Sequence, residues 1–383
     1  MFQNLRIAPL FGRVTFDILN TDLAIVNSIR RTILSDIPTI GFIGEGETTI
    51  DIIKNTGPLH NEIMAHRVGM IPLHMTEEEI DGFQEGLYEF TLSVENKKDV
   101  TIDVTTHDFK GTRDDKMLTE KELRTIFPAN KISNSPVLIT RLRSSELLNL
   151  IARPVKSTAK NHASFSSVSM CSFLFIQDPV EAEKADGILN KERAYIKNEY
   201  NEPIAIEFSF EIENGGAMKE IEAARYIFVK ALDSIIGKLD KAIQHEEDYV
   251  VCKEIENGFE FTFENEDDTL GNLLQSLMFN RHVREGQMFQ DTKISYVGYI
   301  CPHPLDPTML LRVMFEDKTI KRDVSFAWSL LMDNCSWIRT TMTGVSNEWL
   351  RFIQMNQETK KGKVEEKEKE KIKTKKEAPV KKA

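Results

Sequence analysis

The window LHNEIMAHRVGMIPLHM, from Leu59 to Met75, holds His60, Glu62, His66 and His74. Imidazoles beside a carboxylate are the donor set of a hydrolytic zinc site. There HExxH sets two histidines at i and i+4 on one helical face. His60 and His66 are instead six residues apart, about 120° around a helix at 100° per residue. Only Glu62 and His66 share a face. Pro72 precedes His74 and ends the helix or opens a strand. The spacing argues against a shared ion. It favours a short amphipathic helix with Ile63, Met64, Val68 and Met70 as apolar contacts and its His and Glu at the rim. A metal-dependent hydrolase using the His60–His74 window is the alternative.

The elements that would carry this window belong to a chain that repeats itself. VTFDILNTDLAIVNSIRRTIL (residues 14–34) matches FEFTFENEDDTLGNLLQSLMF (residues 259–279) without gaps. The match sets Phe16 on Phe261, Asn20 on Asn265, Asp22 on Asp267, Ile25 on Leu270, Asn27 on Asn272 and Ile33 on Met278. Each copy begins with strand-like alternation. Asn and Asp then turn the chain and cap a helix. Leu270, Leu273, Leu274 and Leu277 form one apolar face. Gly271 costs helix propensity there, which a close approach by another backbone would explain. GMIPL (69–73) and CPHPL (301–305) extend the match. Each half ends in a long helix: Ile221, Ala224, Phe228, Ala231, Ile235 and Ala242 in one, Val324, Trp328, Leu331, Cys335, Ile338, Met342 and Val345 in the other. Their steps of three and four form packing seams. Two like α+β units of this kind pair about a pseudo-two-fold axis.

Four regions are expected. The first unit comprises residues 1–74 and 204–246, and the second 247–355. Between the parts of the first lies an inserted β-rich domain, 75–203, with strand-like LYEFTLSVE, VTIDVTT, PVLITRL and SMCSFLFIQ. Residues 356–383 read as a disordered tail, too polar to pack. From Lys360 onward there are 11 Lys against 5 Glu, so the body carries −17 while the whole chain carries −11. An acidic body is unsuited to wrapping duplex DNA. The basic tail leaves a nucleic-acid-binding protein as a further alternative. The four cysteines, Cys171, Cys252, Cys301 and Cys335, form no CxxC pair and read as reduced thiols. The N-terminus lacks the apolar core of a signal peptide, and no run is long enough to span a membrane.

LNTDLAIVNSIRRTILSDIPT followed by NTGPLHNEIMAHRVGMIPL resembles the signature of the α-type component of multisubunit RNA polymerases. This family includes bacterial α, its archaeal D-type counterpart and the third-largest component of eukaryotic polymerase II. AKNHASFSSVSM resembles its insert motif GKEHAKWSPV, with His162 at the motif's histidine. EDDTLGNLLQSLMF with VGYICPHPLDPTMLLRVMF is similar to the archaeal L-type component and to the eleventh of polymerase II. A fusion of the two is similar to the arrangement in large nucleocytoplasmic DNA viruses.

The resemblance implies a non-catalytic assembly scaffold, an intramolecular pseudo-heterodimer that docks the two largest polymerase subunits and smaller ones. It would meet nucleic acid mainly through the complex and work in host cytoplasm, in the virion, or both. It implies docking roles for Asn27, Arg30, Arg31, His60, Glu62, His66 and Arg67, with an internal Arg–Glu62 ion pair as the competing reading. It places Leu270, Gly271, Asn272, Leu273, Leu274 and His303 in the internal interface. Some relatives carry a cysteine cluster near the insert. This chain does not, so no zinc, iron–sulfur cluster or other cofactor is expected. Glu266, Asp267 and Asp268 read as a helix N-terminus rather than a magnesium site.

Overall fold

The computed structural model describes residues 1–8, 12–130, 132–212, 220–244, 248–303, 305–317 and 322–376, with backbone alone at 220 and 359–376. β1 (Phe2–Ala8) and β2 (Arg13–Leu19) lead into α1 (Leu23–Ser35). A middle region follows with β3 (Thr39–Gly41), β4 (Ile50–Asn55), α2 (Asn61–Gly69), α3 (Glu77–Asp81), β5 (Tyr88–Glu95), β6 (Ile102–Thr105) and β7 (Phe109–Arg113). It continues through β8 (Lys116–Met117), α4 (Glu120–Ile126), β9 (Leu138–Leu142), β10 (Leu147–Ala152) and β11 (Val155–Ser157). Then come β12 (Val168–Phe175), α5 (Pro179–Lys184), α6 (Ile188–Glu192), β13 (Ala205–Ile212) and α7 (Glu220–Ile243). The last stretch holds β14 (Val250–Ile255), β15 (Gly258–Glu264), α8 (Asp268–Met278), β16 (Ile294–Ile300), β17 (Thr308–Phe315) and α9 (Val324–Lys376).

Two four-stranded antiparallel sheets anchor the molecule, ordered β1-β2-β13-β12 and β14-β15-β17-β16. The alternation in β2 and β15 turns Phe16, Phe261 and Phe263 into the core, all fully buried. Each of these strands ends at an asparagine in the left-handed region, Asn20 at φ +55° and Asn265 at φ +61°. Asparagine tolerates this conformation better than most side chains. An aspartate then caps the helix: Asp22 accepts the Ala24 N–H at 2.7 Å, and Asp267 accepts the Thr269 N–H at 2.8 Å. The sequence repeat is therefore a repeat of strand, turn, cap and helix, giving two α+β units.

The helices cross between these units. α1 packs on α8, and α7 runs along α9. Phe228 of α7 meets Phe16 edge to face with ring centroids 5.8 Å apart, and Trp328 of α9 meets Phe261 in the same way at 6.1 Å. Past its own seam α9 reaches the first unit's sheet. There Trp349 is fully buried, 4.4 Å from Phe228 and 4.6 Å from Phe16.

The middle region forms a five-stranded sheet, β4-β10-β5-β7-β8, with the pairs β3–β11 and β6–β9 beside it. Strand pairing runs across the boundaries expected at 75 and 203. β4 joins this sheet, with Ile52 opposite Leu150. β12 joins the first unit's sheet, with Phe173 opposite Phe208. Alternation identifies a strand, but its long-range partner is chosen by register across the chain. Backbone of α9 continues to Lys376, through a stretch of good helix-forming Lys and Glu. Residues 377–383 of the expected tail, and Pro304 of the second Pro–Leu match, lie outside the described residues. Among the described residues no helix is long and apolar enough to cross a membrane.

Candidate docking surface

α2 begins after His60, an extended residue whose side chain makes no cap bond. Met64, Ala65, Val68 and Gly69 are its buried face. Ile63 and Met70, expected among the apolar contacts, are 49% and 53% exposed. At 100° per residue Ile63 and Met70 fall together on the side of the helix opposite the arc spanned by those four. Two glycines bring α2 against the loop before β4. A Cβ on Gly69 would lie 2.8 Å from the Gly44 nitrogen, and one on Gly44 would lie 2.7 Å from the His66 Cα. Only glycine permits so close a backbone contact.

The four donors of the window separate. His66 Nε2 lies 3.3 Å from Glu45 Oε1 across this loop. His60 and Glu62 are exposed, and the His74 backbone N–H donates to the Ile126 carbonyl at 3.0 Å. Among the described residues no group of three or more His, Cys, Asp or Glu could hold a metal ion. A groove of about 680 Å³ lies between the loop, β4 and α2, with Ile50, Ile52, Ile63 and Ala65 flanked by Glu45, Glu62 and His66. β4 is an edge strand of its sheet. An edge offers backbone hydrogen-bonding groups to an incoming chain.

The basic residues are engaged within the chain. Arg67 donates to the carbonyls of Ile139 (2.9 Å) and Leu138 (3.2 Å), pinning α2 to β9. Arg30 donates through Nε to Asn27 Oδ1 at 3.0 Å. Arg31 donates through Nε to Thr269 Oγ1 at 2.9 Å, and its Nη2 lies 3.8 Å from Asp267. Its ionic partner is thus the N-terminus of α8 rather than Glu62. His162 caps the turn of its own motif, accepting the Ser164 N–H at 3.2 Å. The preceding Lys160 N–H donates to the Ser35 carbonyl at the end of α1.

Of the residues expected in the internal interface, Leu270, Gly271, Leu273 and Leu274 are buried on α8. A Cβ at Gly271 would meet the ring of Tyr299 on β16. The close neighbour is therefore an aromatic side chain rather than the backbone expected. Asn272 is half-buried and lines a cleft of about 810 Å³ together with Asn27, Asp22, Tyr200 and Arg284. His303 stands apart: it is exposed, and its Nδ1 accepts the Leu305 N–H within its own turn.

Residues that spacing did not single out close the cleft. Arg284 forks onto Glu202 at 2.8 and 3.1 Å, and its guanidinium lies over the rings of Tyr200 and Phe279. The Arg284 bonds first, then Asn198, hold the Glu202 carboxyl below its ordinary range. Asn280 donates to Asp22 at 2.6 Å. Burial pushes the Asp22 carboxyl up against the opposing Ala24 N–H. The thiols offer no reactive centre near neutrality, since burial pushes Cys171 and Cys335 up to about 12.

With this geometry in view, the chain was compared with known proteins. A family model described as the RNA polymerase Rpb3/Rpb11 dimerisation domain matches residues 15–239. A second model of the same description matches residues 259–341. Human DNA-directed RNA polymerases I and III subunit RPAC1 is 29% identical over 196 residues, covering 45% of this chain and 55% of that protein. DNA-directed RNA polymerases II, IV and V subunit 3 of Arabidopsis thaliana is 27% identical over 191 residues, 46% of this chain and 58% of that protein. DNA-directed RNA polymerase II subunit RPB3 of Schizosaccharomyces pombe is 31% identical over 171 residues, 42% of this chain and 55% of that protein. The chain spans about half the length of these curated relatives.

Proposed function

This chain belongs to the RNA polymerase Rpb3/Rpb11 dimerisation-domain family, and from that premise we propose that it is a non-catalytic assembly subunit of a multisubunit DNA-directed RNA polymerase. Its two α+β units pair with each other within one chain, and the middle region is an insert in the first. The pair docks the two largest subunits and smaller ones, and meets nucleic acid through the complex. The observation that carries this reading is the packing of two family-matching units through α1 on α8 and α7 along α9. Covalent linkage holds one unit at high effective concentration for the other and fixes their ratio. A fused pair of this kind also supports a viral polymerase acting in host cytoplasm or carried in the virion.

The groove beside α2 is the docking site we assign to a large subunit. Its apolar floor, acidic rim and free strand edge suit an extended segment with apolar and basic side chains. Glu62 and His66 line this groove and His60 directly precedes its helix, while Asn27, with Arg30 bonded to it, lines the second cleft. Arg31 and Arg67 act chiefly to hold the platform's shape. The test is capture of the second-largest subunit by the Ile63→Asp chain. Ile63 is exposed, so stability should stay within about 0.5 kcal/mol of the parent while capture falls at least tenfold. Unchanged capture would remove the groove from the docking surface.

A further inference from the structure

One charged cluster joins the two units; its Asp36–Ser234 contact is matched in the second unit by Arg281 on Asn334 at 3.2 Å, but its cross-unit Lys238–Glu266 pair falls on uncharged residues. Lys238 of α7 lies between two carboxylates, 3.0 Å from Asp36 Oδ2 at the end of α1 and 3.2 Å from Glu266 Oε2 in front of α8. The side chains are largely removed from water: Glu266 is 5% exposed, Asp36 14% and Lys238 18%. Tyr249 donates its hydroxyl to Glu266 Oε1 at 3.0 Å, and Ser234 donates to Asp36 at 3.2 Å. Lys160 Nζ lies 3.5 Å from the Asn265 carbonyl and adds positive charge near Glu266. Asp36, Lys238, Ser234 and Lys160 come from the first 244 residues; Glu266 and Tyr249 come from the second unit.

The repeat shows what stands at the mate of this cluster. The strand–helix match sets Thr21 of the first unit on Glu266 of the second. The long helices match at a shift of 100, which sets Phe228 on Trp328, Ala231 on Leu331, Ile235 on Cys335 and Lys238 on Ile338. Phe228 and Trp328 do occupy equivalent places against Phe16 and Phe261. So where the cluster has Lys238 facing Glu266, the matching positions hold a fully buried Ile338 and a half-buried Thr21.

We propose that the Lys238–Glu266 pair determines which unit pairs with which, admitting the unlike pair and penalising like pairs. This rests on the intramolecular pairing proposed above. Two first units placed together would set Lys238 against Thr21. Two second units would bury Glu266 against Ile338. In a pair of first units Lys238 keeps only Asp36 of its own unit, whereas in a pair of second units Glu266 loses its ammonium partner in a site shielded from water, where an unpaired ion is strongly unfavourable. Only first with second gives Lys238 both carboxylates and Glu266 its ammonium, so the larger penalty falls on a pair of second units. The cost falls on the wrong partner, which is how specificity is built at an interface. It matters because the two units are similar enough to compete for each other across molecules.

Charge exchange in the full-length chain tests this. Lys238→Glu sets three carboxylates together, and Glu266→Lys sets two ammonium groups together. Each single variant should lower the urea midpoint. The Lys238→Glu/Glu266→Lys chain should regain roughly tenfold or more of the folded-to-unfolded ratio lost by either single change, as contacting residues couple. The two single variants, differently tagged, are then unfolded and refolded together. Each first unit now finds its opposite charge only in the other chain. A one-to-one complex should copurify, whereas two tagged wild-type chains should stay separate. If the double variant is no more stable than the singles, or the two folded singles ignore one another, the pairing role is overturned. Where a single variant fails to fold alone, the double variant and the joint refolding still decide. Capture of the large subunits by the wild-type chain is read separately, so failure of the charge exchange and failure of the polymerase reading remain distinct.

Discussion

Gly44 and Gly69 fix the geometry of the groove beside α2 through what they lack. Their backbones touch where any Cβ would collide. Gly69→Ala should therefore push α2 off its loop and cost about 1–3 kcal/mol, the usual penalty for overpacking, read as a lower urea midpoint. A charged residue controls the second contact zone. The Arg284 fork holds Glu202 below its ordinary value of 4.5. A carboxyl with a depressed folded-state pKa contributes stability that is present above the unfolded value and lost as pH falls through the folded one. Below about 4.5 the wild-type midpoint should decline, and Glu202→Gln should flatten that part of the profile. An unchanged slope would mean the fork contributes nothing to acid sensitivity. Arg31→Glu should also weaken the fold by about 1–3 kcal/mol, because the hydrogen bond to Thr269 is lost beside Asp267. The helix signature read from sequence pointed Arg31 outward to a partner. The structure turns it to the other half of the same chain.

At the scale of elements, α9 is the span that ties the molecule together. It covers its own sheet with Trp328 and the other unit's sheet with Trp349. Trp349→Ala should cost about 3–5 kcal/mol, as removal of a buried indole does, and the loss should appear as a single lowered thermal transition. The seams of α7 and α9 were legible in sequence because helical periodicity is local, and so were both Asn–Asp turns and their caps. The assignments of β4 and β12 to sheets were not. Each strand announces its alternation, while its partner is about a hundred residues away along the chain for β4 and tens of residues for β12. For the same reason the window at residues 59–75 disclosed its helix but not its groove. Glu45, Ile50 and Ile52 line that groove from elements that no motif connected to α2; of the two glycines in IGEGE only Gly44 lies against α2, while Gly46 sits in open space. Glu266 looked like one of three acids favouring a helix N-terminus. Asp267 does that work, and Glu266 is buried against Lys238.

The molecule as a whole is organised by a repeat whose two copies have diverged at their contact. One junction carries Arg31, Lys238 and the acids ahead of α8; the other carries Asp22, Glu202, Asn280 and Arg284. On the proposed reading, having both units in one chain removes the need for an encounter between separate partners before a large subunit docks. The most direct measurement is co-expression of the tagged full-length chain with the two largest polymerase subunits of its own source, followed by affinity purification and size exclusion. The expected result is one complex containing all three in equal amounts, with the Ile63→Asp chain recovered folded but alone. A wild-type chain recovered folded and alone, beside folded large subunits, would contradict the assembly role.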